Sequence, residues 1–220
     1  MLRVLGEDHS QGGQGVETGR VAREAFLLGP SLTGVLTRME RDGLVQRERD
    51  PADQRRSVVR ATPRGLALVE TTLLAMAALH ALDPAAIGLG DLGKPLGYYT
   101  RQLKGWTSRA EAVWPDGLPA DVAALITALA AAVPPEAGTP VLLHMDLKPD
   151  NLLVDPATCQ PRAMIDWDMA TRGPRAFDLA VLLSYWIEPG DPGDVKPLMA
   201  VPSLTPGWPG RTAVASRYAA

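Results

Sequence analysis

Apolar positions along the chain recur with two different periods, and the changes of period mark the elements. Leu32, Val35, Leu36 and Met39 share one face at helical spacing, while Arg38, Arg41 and Asp42 lie off it. Pro30-Ser31 opens this helix, with Ser31 or Thr33 as its N-cap, and Gly43 closes it. Residues 44–48 and 57–61 read as short strands around a turn rich in Pro and Asp. A second helix starts at Thr62-Pro63, with proline at its first position, and runs through Leu66, Leu68 and Val69 towards His80.

Beyond residue 83 the pattern changes. Asp83-Pro84 and the glycine-rich stretch 88–97 form a loop, and helices are expected over 97–112 and 119–133. Pro134-Pro135 breaks the chain. Val141-Leu142-Leu143 is a short buried strand. Residues 152–154 and 163–165 are two more strands, joined by a turn over 155–161, and a helix follows over 175–186. Residues 189–210 carry six prolines and read as an irregular tail, and residues 1–20, polar and glycine-rich, as a disordered one. The expected fold class is α+β. A helix with a two-stranded wing precedes a mainly helical part that carries a second small β-hairpin.

Composition adds a seam. Of the eleven aromatic residues, all but Phe26 lie at Tyr98 or later. Residues 1–72 hold 11 Arg and no Lys against 10 acids, whereas residues 73–220 hold 11 basic residues against 15 acids. Two compositions in one chain of 220 residues suggest two origins. The expected division is a tail over 1–20, an arginine-rich part over 21–73 with a helix and a two-stranded wing, and a mainly helical part over 74–220. The longest nearly apolar run, residues 122–133, falls short of the roughly 20 residues that cross a bilayer. No membrane partner is therefore expected. The N-terminus lacks a secretory pattern, so a cytoplasmic location is the default. The single cysteine, Cys159, excludes an internal disulfide and a multi-cysteine metal site, and its place in a hairpin turn makes it an exposed thiol. His80 lies on an apolar helix face, which favours a packed histidine over a ligand.

The first candidate for chemistry is the helix with its two-stranded wing. Such a helix can enter the major groove of double-stranded DNA, and the wing can set cations beside phosphates. Ser31, Thr33, Gly34, Thr37 and Arg38 occupy its first two turns, and Arg47, Arg49, Arg55 and Arg56 cluster in and beside the hairpin. The alternative is a solvated mixed-charge surface, because Asp50 and Asp53 sit among the arginines. The stretch GPSLTGVLTRMERDGLVQRERDPADQRRSVVRATPRGLALVE, residues 29–70, resembles the winged helix of the MarR family of transcriptional regulators. That resemblance implies that Ser31, Thr33, Gly34 and Arg38 face bases, that Asp53 and Arg55 shape the wing, and that Arg56 approaches the minor groove. It also implies a homodimer on a palindromic site.

The second candidate is His144-Met145-Asp146-Leu147-Lys148-Pro149-Asp150-Asn151, which has the spacing H-x-D-x-x-x-x-N of a phosphotransfer loop. Transfer to a hydroxyl needs a carboxylate that orients the hydroxyl and takes its proton, here Asp146. It also needs an amide oxygen on the metal bridging the nucleotide phosphates, here Asn151. Lys148 adds positive charge near the transferring group, and His144 holds the loop. Asp166, at the end of the strand 163–165, supplies the second oxygen ligand for Mg²⁺. Asp178, at the start of the following helix, is placed to brace the loop. Taken singly, each of these is an ordinary turn former or strand-end cap; their order along the chain gives them meaning.

Residues 74–218 resemble the aminoglycoside phosphotransferase and choline kinase superfamily. The carrying stretches are AALHALDPAAIGLGDLGKPLGYYTRQLKGW, VLLHMDLKPDNLLVD, AMIDWDMATRGPRAFDLAVLLSYW and PSLTPGWPGRTAVASRYA. They look most like bacterial phosphotransferases related to the kinase-like domains fused to acyl-CoA dehydrogenases. By that resemblance Asp146 is the catalytic base and Asn151 and Asp166 are the magnesium ligands. Met145 departs from the pattern, which often has glycine there. ATP is then the phosphoryl donor and a small molecule bearing a hydroxyl the acceptor. Before residue 74 no V-A-I-K-like strand is found, so the nucleotide-binding N-lobe is expected to be missing and turnover impaired. Two other readings stand beside this one: a MarR-like DNA-binding regulator with a kinase-derived appendage, and a fusion in which neither function is intact.

Overall fold

The computed structural model describes residues 16–17, 37–49, 57–136, 138–188, 190–191, 203 and 207–219. Its elements, in chain order, are β1 (Val16–Glu17), β2 (Val45–Arg49), β3 (Ser57–Ala61), α1 (Pro63–His80), α2 (Tyr98–Val113), α3 (Ala120–Ala131), β4 (Val141–Leu143), β5 (Leu152–Val154), β6 (Pro161–Met164), β7 (Thr171–Gly173), α4 (Arg175–Ser184) and α5 (Arg211–Ala219). The chain divides into two compact units. One comprises Met1–Ala78, Asp146–Trp167 and Leu179–Ala220, and the other Leu79–Met145 and Asp168–Asp178.

In the first unit, residues 37–41 are helical and Gly43 ends the turn at φ +71°, where a side chain would be strained. The Gly43 N–H donates to the Glu40 carbonyl at 3.0 Å and the Leu44 N–H to the Met39 carbonyl at 2.8 Å, the paired bonds of a Schellman ending. β2 and β3 then form an antiparallel hairpin in register from Val45↔Ala61 to Arg49↔Ser57. Val45 and Val59 are buried, which gives the hairpin one apolar face. β1 pairs with β3 through Val16↔Val59 and Glu17↔Val58, so these two residues are strand where the composition suggested an unstructured tail. Thr62 joins wing to helix. Its hydroxyl donates to the Gly43 carbonyl at 2.5 Å and accepts the Gly65 N–H at 3.0 Å, capping α1 behind Pro63.

α1 brings Val69, Leu73 and Met76 to an apolar cluster with Leu147, Leu182, Trp186 and Val214. Each such side chain contributes roughly 1.5–3 kcal/mol by leaving water. β5 and β6 form a second hairpin with a bulge between Leu153 and Val154. Its turn lies against α1, where the Thr71 hydroxyl donates to the Cys159 carbonyl at 3.0 Å. Cys159 is therefore buried, not the exposed thiol its turn position suggested. α5 is the other departure. Beyond the proline-rich stretch, Arg211 pairs with Asp191 and donates to the Trp186 carbonyl, and Arg217 pairs with Glu70. These ties fix a helix whose local pattern is weak.

In the second unit, β4 pairs antiparallel with β7, with Val141↔Gly173 and Leu143↔Thr171 in register. Tyr98, Val141, Leu143 and Met145 form its core, with Tyr99 and Phe177 packed against them. The Tyr98 and Phe177 rings meet edge to face at 5.0 Å. Among the described residues no helix is long and apolar enough to cross a membrane.

The turn of the β5–β6 hairpin should show its charge dependence directly. Asp155 accepts a bond from Arg162 and the N–H groups of Thr158 and Ala157, which together hold its carboxyl at about 2. A depressed folded pKa gives stability that is full above the unfolded value of about 3.9 and is lost as pH falls towards 2. The melting-temperature gap between wild type and Asp155→Asn should be constant from pH 7 to 5 and shrink between pH 4 and 2.

Candidate active site

The loop after β4 begins with a left-handed residue. Met145 has φ +69°, an uncommon conformation for a residue with a long side chain. Two partners hold it. Its N–H donates to Asp178 Oδ1 at 2.6 Å, and its sulfur accepts the Tyr98 hydroxyl at 3.1 Å. Burial pushes the Tyr98 phenol up to about 12, so it remains a donor across the physiological range. Asp178 also accepts the His144 N–H at 2.9 Å through Oδ2, and His80 Nε2 lies 3.1 Å from that same oxygen. Asp178 is 1% exposed and His80 4%. A carboxylate so buried persists only when its lone pairs are occupied. Here two backbone N–H groups and an imidazole occupy them. The packed histidine at position 80 thus has a polar partner, in the helix-start carboxylate.

Residues 146–167 and Tyr185 belong to the first unit. Lys148 Nζ pairs with Asp146 Oδ2, and Asn151 Nδ2 donates to that oxygen at 3.0 Å and to the Asp146 carbonyl at 2.8 Å. The short 3₁₀ turn Pro149–Asn151 makes this return possible by folding Asn151 back onto the start of its own loop. The other carboxylate oxygen, Oδ1, accepts the Tyr185 hydroxyl at 2.6 Å. Lys148 Nζ also sits 5.1 Å from the centre of the Tyr185 ring, within cation–π range. Burial alone would raise the Asp146 carboxyl. The bonds from Lys148 and Tyr185, the Lys148 charge and the Asn151 amide outweigh it and hold the group below the usual carboxylate range. Tyr185 is pushed up to about 12, first by its bond to Asp146 and then by burial.

The hairpin brings the two expected metal-ligand positions side by side. The Ile165 N–H donates to the Asn151 carbonyl at 3.0 Å, one step beyond the Leu152↔Met164 pair, and Asp166 follows directly. Asp166 is exposed and left-handed, at φ +66°. Aspartate tolerates that region better than most residues, yet it still costs about 1 kcal/mol. Among the described residues no hydrogen bond or ion pair engages its carboxylate, and none engages the Asn151 amide oxygen. An amide oxygen and a carboxylate fit Mg²⁺, which takes few protein oxygens and fills its shell with water and substrate phosphates.

The chain matches the phosphotransferase enzyme family over residues 26–214. It belongs to that family. Among solved structures, this phosphotransferase-family chain resembles a putative aminoglycoside phosphotransferase from Ralstonia eutropha, with a TM-score of 0.59 and 27% identity, covering 70% of this chain and 46% of that one. It is 35% identical over 124 residues to acyl-CoA dehydrogenase family member 11 of Rattus norvegicus, covering 56% of this chain and 15% of that protein. Over 68 residues it is 44% identical to the homoprotocatechuate degradative operon repressor of Escherichia coli, covering 31% of this chain and 43% of the repressor. The chain therefore spans only part of each relative.

The geometry thus gathers Asp146, Lys148 and Asn151 around one carboxylate, places Asp166 across the hairpin from Asn151, and binds His144 through its backbone to Asp178. Tyr185 was not among the residues expected at the site. Its partner lies 39 positions earlier in the chain, and a tyrosine near the end of a helix carries no local signal of that contact. Of the residues expected at DNA, Ser31, Thr33, Gly34, Arg55 and Arg56 lie outside the described residues, and Arg38 is exposed. Arg47 is neutralised by Glu40, its Nε 2.7 Å from the carboxylate.

Asp178 supplies a direct test of the loop's construction. Asp178→Ala would remove the acceptor of two buried N–H groups and the partner of His80 Nε2, at about 1–3 kcal/mol per lost buried bond. Denaturant unfolding should therefore show a loss of at least about 3 kcal/mol, with an unchanged m-value.

Proposed function

We propose that the chain carries the catalytic half of a Mg²⁺- and ATP-dependent phosphotransferase acting on a small-molecule hydroxyl. The observation that carries this reading is the Asp146 carboxylate, held by Lys148 and Asn151, with Asp166 across the hairpin from Asn151. Phosphoryl transfer demands positioning and charge neutralisation more than strong base catalysis. A carboxylate kept below its ordinary range suits that demand. It accepts the acceptor hydroxyl's hydrogen bond, aligns the oxygen for attack, and takes the proton only as the new P–O bond forms and the bond from the γ-phosphorus to the departing ADP oxygen breaks. Lys148 offsets negative charge beside it. Bound magnesium would be held by Asn151 and Asp166 and would supply charge neutralisation at the phosphates. His144 acts at one remove, through a loop backbone tied to Asp178. The family match and the aminoglycoside phosphotransferase neighbour support the reaction class, and aminoglycosides are the first acceptors to try.

Turnover is expected to be slow, because residues 1–73 contain no counterpart of the strand lysine that pairs nucleotide phosphates in kinases. The test is Mg²⁺-dependent release or transfer of the ATP γ-phosphoryl. Asp146→Ala should lower the rate by about 10²–10⁴-fold, the range for a positioned acid–base group. Equal rates in the two proteins would exclude the assignment.

A second reading, DNA binding by the wing, is favoured by one observation: a Schellman-ended helix is followed by a two-stranded hairpin, in a chain that is 44% identical to a repressor over 68 residues. A homodimer would be the binding form. An electrophoretic shift on promoter DNA across a salt series decides it. Arg38→Ala or Arg56→Ala should weaken a specific complex, and the absence of any shift at low salt would end the idea.

A further inference from the structure

Asp146 has two carboxylate oxygens, and they are not used alike. Oδ2 faces Lys148 and Asn151, the groups of the phosphotransfer loop itself. Oδ1 accepts from outside the loop, from the Tyr185 hydroxyl at 2.6 Å. Tyr185 stands immediately after α4, whose last residue is Ser184, so its backbone has left the helical ladder. Its amide donates to the Leu182 carbonyl at 3.1 Å, a tighter closing turn. The neighbouring Trp186 is 1% exposed, its ring nitrogen bonded to the Pro209 carbonyl at 2.7 Å. Tyr185 therefore has a fixed backbone and a partly exposed ring that reaches the carboxylate from one side.

The acceptor of a phosphoryl group must offer Asp146 a hydroxyl, and a hydroxyl already fills that role. We propose that Tyr185 is a positioning residue that gates the acceptor subsite: its hydroxyl occupies the place on Asp146 Oδ1 that the substrate hydroxyl must take. The inference rests on the phosphotransferase reading of the site. A short O–H···O⁻ bond is among the stronger hydrogen bonds in proteins. An acceptor that replaces it gives Asp146 the same kind of bond and must add contacts of its own to displace the phenol. Water brings no such contacts. The tyrosine thus discriminates against water, the acceptor present at the highest concentration, and limits wasteful hydrolysis of ATP. Lys148 Nζ lies 5.1 Å from the centre of the ring, a contact that does not depend on the hydroxyl.

The test compares Mg²⁺-dependent ATP hydrolysis, with water as the only acceptor, in the full chain and in Tyr185→Phe, Asp146→Asn and the double variant. Tyr185→Phe keeps the ring and the Lys148 contact and removes only the hydroxyl. The gate predicts that hydrolysis rises several-fold in Tyr185→Phe with KM for ATP unchanged, and that the rise disappears in the double variant. A purely structural tyrosine would lower the rate or leave it alone. If Tyr185→Phe hydrolyses no faster than wild type while Asp146→Asn loses activity, the gate is wrong and the phosphotransferase reading stands. If hydrolysis in wild type and in Tyr185→Phe alike is indifferent to Asp146→Asn, both fall. A Tyr185→Leu variant with an unchanged melting temperature separates a lost hydroxyl from a lost fold, and it should share the gain.

Discussion

One buried carboxylate sets the backbone from which the loop after β4 departs. Asp178 binds the amides of His144 and Met145 and meets His80, and Met145 adopts a left-handed conformation between them. The energies decide why that strained residue persists. A left-handed conformation costs about 1–2 kcal/mol for a residue with a side chain. A hydrogen bond to a charged group returns about 1.5–3 kcal/mol, and Asp178 makes two to backbone amides. The Met145 side chain adds burial and the contact with the Tyr98 hydroxyl. Glycine would relax the backbone at this position but forgo that packing. The methionine is thus a balance of local strain against a filled core.

Asp146 shows the opposite arrangement. Its carboxylate is partly exposed, and every strong partner described for it is a donor: Lys148, Asn151 and Tyr185. Such a group is charged and oriented at any physiological pH but has little appetite for a proton. That combination suits a reaction in which the nucleophile is aligned first and deprotonated late. A raised carboxyl, as in a general acid, would be the wrong tool. The two aspartates therefore divide the work by environment. Asp178 is buried and spends its oxygens on the fold, while Asp146 stands nearer solvent, where an incoming hydroxyl can compete for one of its oxygens.

Much of this was legible in the sequence, and the exceptions share a cause. Strand Val141–Leu143, helix Pro63–His80 and the hairpin of Leu152–Val154 and Pro161–Met164 follow from local apolar patterning and from punctuation by Pro and Asp. The order of Asp146, Asn151, Asp166 and Asp178 was readable because a spacing records a loop. β7 was not, since Thr171-Arg172-Gly173 has no strand pattern and exists through its pairing with β4. Gly173 belongs there for a reason only the fold reveals: a Cβ would come within 2.9 Å of both Leu143 and Tyr98. α5, the buried Cys159 and the Tyr185 contact likewise depend on partners far along the chain. Local pattern encodes what neighbours in sequence do for each other, and these three are settled by residues that are not neighbours.

The compositional seam near residue 74 takes on a physical meaning in the same terms. The arginine-rich stretch does not stop at a linker. Its last residues continue without a break into α1, and Val69 and Leu73 from that side share one cluster with Met76, Leu147, Leu182, Trp186 and Val214 from the other. Glu70 pairs with Arg217 across 147 positions, and Arg64 donates to the Pro156 carbonyl at 2.6 Å. Removing residues up to 73 would therefore strip one wall from the cluster that holds Leu147, the residue after Asp146. Whatever the wing binds, the helix that follows it is part of the core on which the Asp146 loop is built. The match to the phosphotransferase enzyme family, over residues 26–214, has that point within its bounds.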